Sequence, residues 1–141
     1  MSEERKRPDP RMKFIKQLEA LRGLRRDRAE SAMAEAQDGV RWATLIAEDE
    51  DVLVGQAIDR YRRTQSETEA EIRGTRHTVA DVQGFDVKVA RIRRAAEEAR
   101  NAAAMAWQKK AEADAALEAA RVAAQLAAAA HERVLEWKKS L

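Results

Sequence analysis

The chain has 141 residues, a net charge of +2, 37% charged residues and no cysteine. Leu, Ile, Val and Phe together supply 25 residues, about 18% of the chain and below the range of ordinary globular cores. Alanine contributes 30 residues, nearly half of the 45% counted as hydrophobic, and it buries little area. These proportions exclude a sheet sandwich or an α/β core. Net charge near zero and an excess of the best helix former argue equally against disorder. They favour long helices packed along narrow seams.

No apolar run approaches the length of a membrane span, and the longest, Leu126 to Ala130, is mostly alanine. The opening Met1-Ser2-Glu3-Glu4-Arg5-Lys6-Arg7-Pro8 has no apolar stretch behind it and does not read as a secretory signal. Without cysteine there is no disulfide frame, thiol nucleophile or cysteine zinc site. A bacterial cytoplasmic protein is the expectation.

In chain order, residues 1–10 read as a disordered polar tail holding both prolines, Pro8 and Pro10. A first helical arm is predicted over about 12–73. It opens with Phe14, Ile15, Leu18, Leu21 and Leu24, spaced by threes and fours. Met33, Ala36, Val40, Ala43 and Ala47 continue the pattern, and Val54, Ile58, Tyr61 and Ile72 give a broken version of it. Gly39 and Gly55 each weaken this helix by about 1 kcal/mol relative to alanine. A break near the acidic run Glu48-Asp49-Glu50-Asp51 and Gly55 would make three helices in place of two.

The clearest stop signal is Ile72-Arg73-Gly74 followed by Thr78-Val79-Ala80-Asp81. Arg73 suits the negative end of a helix dipole and Gly74 a left-handed residue past the last turn. Thr78 can cap a second helix, with Asp81 three residues on as the reciprocal partner. The predicted turn covers about 74–79 and the second arm about 80–141, so residues 11–141 form a single helical hairpin. Each arm of 62 residues would be about 90 Å long.

The second arm carries the clearest repeat. Steps of four and three from Phe85 pass through Val89, Ile92, Ala96, Ala99, Ala103, Ala106, Lys110, Ala113, Leu117, Ala120, Ala124, Ala127, His131 and Val134. The mean step of 3.5 is that of a left-handed coiled coil. The predicted fold is all-α, a long antiparallel two-helix coiled-coil hairpin. With a turn centred near residue 76, residue i faces about 153 − i. Trp42 and Trp107 then fall within about one helical turn of each other. Trp and Phe are expected against alanine-lined or aliphatic stretches.

Charge is uneven. Residues 1–28 carry net +5 and residues 29–60 net −6, which concentrates positive charge where the two ends of the hairpin meet. Arg22, Arg25 and Arg26 fall within about 100° of one helix face, with Arg28 further round. They read either as a solvated face with i,i+4 pairing or as a docking surface for an acidic partner. Nucleic acid is disfavoured, because no aromatic is interleaved with the arginines and an acidic block adjoins them. The four consecutive carboxylates at 48–51 point in four directions on a helix and lack the spacing of a calcium loop, so no metal site is assigned. His77 reads as a loop residue and His131 as a polar seam residue that could fix register. No phosphate loop, triad or cofactor motif is present, so no cofactor is assigned and no enzymatic activity is expected.

The segment Leu21-Arg22-Gly23-Leu24-Arg25-Arg26-Asp27-Arg28-Ala29-Glu30-Ser31-Ala32 resembles the YscO family of type III secretion proteins, relatives of the flagellar export protein FliJ. The closing stretch His131-Glu132-Arg133-Val134-Leu135-Glu136-Trp137-Lys138-Lys139 is similar to that family's C-terminal helix. The resemblance implies a cytoplasmic helical hairpin like the central stalk of rotary ATPases, associated with a membrane secretion apparatus. Its terminal end would enter a hexameric export ATPase, and the stalk would link that ATPase to the export gate and to secretion chaperones. On this reading Arg22, Arg25, Arg26, Arg28, Lys138 and Lys139 face the ATPase ring, and the turn at 74–78 is available to the gate. The chain is richer in alanine than its relatives, so no gate-binding or chaperone-binding residue is carried over. Such a protein would be peripheral to the membrane at most and a monomer alone. A generic coiled-coil scaffold or oligomerisation module is the alternative reading.

Overall fold

The computed structural model describes residues 9–74 and 76–141. They form a helical hairpin of two long helices, α1 (Pro10–Gly74) and α2 (Val79–Ser140), packed against each other. No strand occurs among the described residues. α1 runs unbroken through Gly39, the acidic run and Gly55, so the three-helix alternative is not realised. No described helix is long and apolar enough to cross a membrane.

α1 starts earlier than the sequence suggests. Asp9 is its cap: the Arg11 backbone N–H donates to Asp9 Oδ1 at 2.9 Å, and the Met12 N–H donates to the Asp9 carbonyl at 2.9 Å. Pro10 takes the first helical position, where a missing N–H costs nothing and its fixed φ is already helical. The Arg11 guanidinium also binds the Asp9 carboxylate at 3.1 Å. These contacts hold Asp9 below its ordinary 3.8, the side-chain bond from Arg11 contributing most. Asp9 and Pro10 therefore leave the predicted tail and join the helix start. The rest of that tail, residues 1–8, lies outside the described residues.

The chain separates into two units, one joining the segment up to Val40 with Ala113–Leu141, the other comprising Arg41–Glu112. In the first, the terminal unit, Ile15, Ala124 and Val134 are buried, and Val134 is only 2% exposed. Ala113, Leu117, Ala120, Ala127 and His131 are half-buried beside them, facing Leu18, Met33, Ala36 and Val40 on α1. The alternating step predicted for the second arm is thus the packing face of α2 here. The opening of α1 obeys it less well. Ile15 is buried, but Phe14, Leu21 and Leu24 are 63%, 43% and 48% exposed. They are spaced helically yet sit on a face that α2 does not reach.

In the second unit the seam is built from Ala47, Ala96, Ala103 and Ala106, all buried, with Phe85, Val89, Ile92, Ala99, Val54, Ile58 and Tyr61 half-buried. Thr64 and Thr68 are also buried and carry the frame on from Tyr61. Ile72, expected in this frame, is 39% exposed and lines an open groove with Thr68 of α1 and Asp86 and Val89 of α2. Methyl side chains let the backbones approach closely and leave no room for an indole between them. Trp42 accordingly stays 67% exposed, and Trp107 lies on the flank of the seam at 39%.

The turn is the most closely specified local structure. The Thr78 N–H donates to Asp81 Oδ2 at 3.1 Å, and the Asp81 N–H donates to Thr78 Oγ1 at 3.2 Å. This is the reciprocal capping box foreseen in the sequence. The two Thr78 bonds, the backbone one first, hold Asp81 below its ordinary 3.8. Gly74 does not take the left-handed conformation anticipated for it; it is the last residue of α1, and no described glycine has a positive φ. The end of α1 is capped by a side chain instead. His77 Nε2 donates to the Glu71 carbonyl at 2.8 Å, and the His77 ring stands edge-on to Phe85, centroids 5.3 Å apart at 86°.

Candidate functional site

The six basic residues assigned to docking all fall in the terminal unit, which holds the start of α1 and the end of α2. They do not form one open face. Arg25, Arg28 and Lys139 are exposed, whereas Arg22, Arg26 and Lys138 are half-buried at the edge of the seam. The reason is the helical step: residues 15, 18/19, 22, 26, 29 and 33 mark the side of α1 turned to α2, and Arg25 and Arg28 lie off it.

Arg26 is engaged across the hairpin. Its Nη1 donates to His131 Nδ1 at 3.1 Å, so that ring nitrogen carries no proton and Nε2 holds it. Nη2 donates to Asp27 Oδ1 at 3.2 Å. Nε is buried without a hydrogen-bond partner, with the Glu30 carboxylate 3.9 Å away. Gly23 faces the imidazole: a Cβ at that position would lie 3.5 Å from His131 Nε2, an ordinary contact. His131, expected as a polar register residue, has such a contact. Lys138 is likewise paired, its Nζ 3.0 Å from Glu19 Oε2. Both contacts lie one helical turn beyond the 153 − i correspondence.

Arg22 has a different setting. With Ala130, Arg133, Val134 and Trp137 it lines a shallow groove on the terminal unit. Trp137 is 53% exposed and gives this groove an aromatic side chain alongside its two arginines. Such a groove suits contact with a partially apolar, acidic surface. Sequence reasoning had not included Arg133 or Trp137 among the site residues. Arg133 lies two positions past His131 on α2, and the signal that could have found it is its nearness to position 131, which the predicted register sets opposite Arg22.

The acidic run at 48–51 is part of unbroken helix. Asp51 receives the indole N–H of Trp107, and among the described residues no group of three or more His, Asp or Glu side chains is placed to hold a metal. Compared with known protein families, with curated proteins and with solved structures, the chain matches none.

Proposed function

We propose that the protein is a non-catalytic stalk or coupling component of a type III protein secretion apparatus, docking its terminal unit into a hexameric export ATPase and linking it to the export gate and chaperones. The observation that carries this reading is the terminal unit itself. There Arg25, Arg28 and Lys139 are exposed and Arg22, Arg133 and Trp137 line a groove, within a two-helix hairpin of the kind the Arg-Ala-Glu resemblance implies. Arg26 and Lys138 hold the two helices together and present the other cations. Such a surface offers steering and contact to a ring lined by carboxylates.

The test is co-purification with an export ATPase from a type III system and stimulation of its hydrolysis. Reversal of Arg25 and Arg28 to Glu should abolish both while leaving helix content unchanged. Undiminished stimulation by that variant would sink the reading. The scaffold alternative draws on a specific observation too, the large apolar side chains left exposed on α1 of the second unit.

A further inference from the structure

Both helices of the second unit carry the same short motif, Arg-x-Arg-Arg. It reads Arg60-Tyr61-Arg62-Arg63 on α1 and Arg91-Ile92-Arg93-Arg94 on α2. Tyr61 and Ile92 are half-buried in the seam, and all six arginines are exposed. At about 100° per residue, the arginines on either side of each seam residue turn to opposite flanks, and the last turns outward. The two motifs meet at one level. Arg60 and Arg91 line a groove over Ala57 and Ile92 on one flank. Arg62 and Arg93 line another over Ile58, Tyr61 and Ala96, where Arg100 joins them. Guanidinium groups thus form a collar around both helices at that level.

The collar lacks counter-charge. Residues 58–63 and 91–100 hold seven arginines against three acids, Asp59, Glu97 and Glu98. Among the described residues none of the seven arginines makes an ion pair, unlike Arg26 and Arg121. Like charge crowded at one level opposes the packing of the two helices. The collar is also short. On α1 it lies between Glu48-Asp49-Glu50-Asp51 on one side and Glu67, Glu69 and Glu71 on the other. A nucleic acid strand following the helix would pass from arginine onto carboxylate. A membrane surface calls for apolar side chains that project beyond the cations, and here Ile58, Tyr61, Ile92 and Ala96 are recessed in the seam. A short acidic polypeptide matches the band in both sign and length. We infer that the collar docks a short acidic segment of a partner protein, whose carboxylates bridge an arginine of α1 and an arginine of α2 across a groove. Guanidinium and carboxylate pair there by charge-assisted hydrogen bonds. The two arginines come together only in the folded hairpin, so the bound segment clamps α1 to α2.

Fluorescence anisotropy of a labelled, capped hexaglutamate peptide titrated with the full chain tests this. Saturable binding that weakens with added salt is expected, and none for hexaglutamine. The double variant Arg62→Gln, Arg93→Gln should raise the dissociation constant about tenfold. Lys88→Gln, Lys109→Gln removes the same charge outside the collar, also at exposed positions, and should bind as the parent does. Thermal unfolding supplies a second readout. Without peptide, Arg62→Gln, Arg93→Gln should melt higher than the parent, because repulsion is relieved. With peptide, the melting point of the parent should rise and that of the variant should not. Absence of saturable hexaglutamate binding overturns the proposal, as does equal loss in the two double variants. So does tighter binding of a single-stranded oligonucleotide of equal charge, or capture by phosphatidylglycerol vesicles that Arg62→Gln, Arg93→Gln abolishes. The collar lies outside the terminal unit, so its failure and that of the stalk reading, which rests on Arg25 and Arg28, are read separately.

Discussion

Asp51 accepts the indole N–H of Trp107 with both carboxylate oxygens, at 3.0 and 3.1 Å, joining α1 to α2 on the flank of an alanine seam. The seam buries little area per residue, so a charge-assisted bond of this kind is a sizeable share of the local cohesion. Asp51→Ala and Trp107→Phe should each destabilise the hairpin. A double-mutant cycle in urea should return a coupling of about 0.5–1.5 kcal/mol. Additive losses would show that the contact contributes nothing in solution.

The turn yields a prediction with a pH dependence. Thr78→Ala removes the cap of α2 and should cost about 1 kcal/mol, measured as a shift in the urea midpoint. Asp81 contributes as its anion, held below 3.8 by the two Thr78 bonds. Its stabilisation is complete above that unfolded value and is lost as pH falls through the still lower native value. Acidification below about pH 4 should therefore loosen the start of α2, and Thr78→Ala should flatten that acid response. Amide exchange of the first turn of α2 reports both effects.

Two glycines offer stabilisation. A Cβ at Gly55 would meet nothing within 4 Å, and α1 is continuous through it. Gly55→Ala should raise stability by about 1 kcal/mol through helix propensity alone. At Gly23 the added methyl would meet His131 Nε2 at 3.5 Å, an ordinary contact. Gly23→Ala should therefore gain too, by less than Gly55→Ala. A loss of stability there would mean that the imidazole cannot yield even slightly. Thermal unfolding of the two variants side by side decides it.

The reverse change belongs in the seam. Ala47 has no exposed surface, and Ala103 and Ala106 are 7% exposed. Ala47→Leu should force the helices apart at that level and cost about 1–3 kcal/mol. The same substitution at Ala34, an exposed position of α1, should be close to neutral. Circular dichroism melts of both variants give the comparison.

The packing face of α2 was legible from Phe85 to Val134, because a strict alternation of fours and threes survives even where most residues are alanine. The capping box was legible because Thr78 and Asp81 serve each other locally. What lies across the hairpin was harder. A one-turn uncertainty in register separates the predicted partners of Trp107 from Asp51 and those of Arg26 from His131. Gly74 misled, since glycine is the commonest residue past a helix end, and here His77 does the capping from three residues beyond. Arg22 and Arg26 were counted as one face with Arg25. The helical step alone does not say which edge of that face the second helix covers.

The alanine seam leaves the terminal unit with a vernier. Along α2, Ala113, Ala120 and Ala127 are seven residues apart and nearly interchangeable as surfaces. Sliding α2 by one heptad would exchange methyl for methyl at those levels with small loss. Two polar pins, Arg26 to His131 and Glu19 to Lys138, add to the buried Val134 and Ile15 in distinguishing one setting from the next. At the alanine levels the alignment of the helices thus leans on two half-buried contacts at the edge of the seam, since the methyl packing there is nearly indifferent to it. A partner that takes hold of Arg26 or Lys138 acts directly on the elements that set the register.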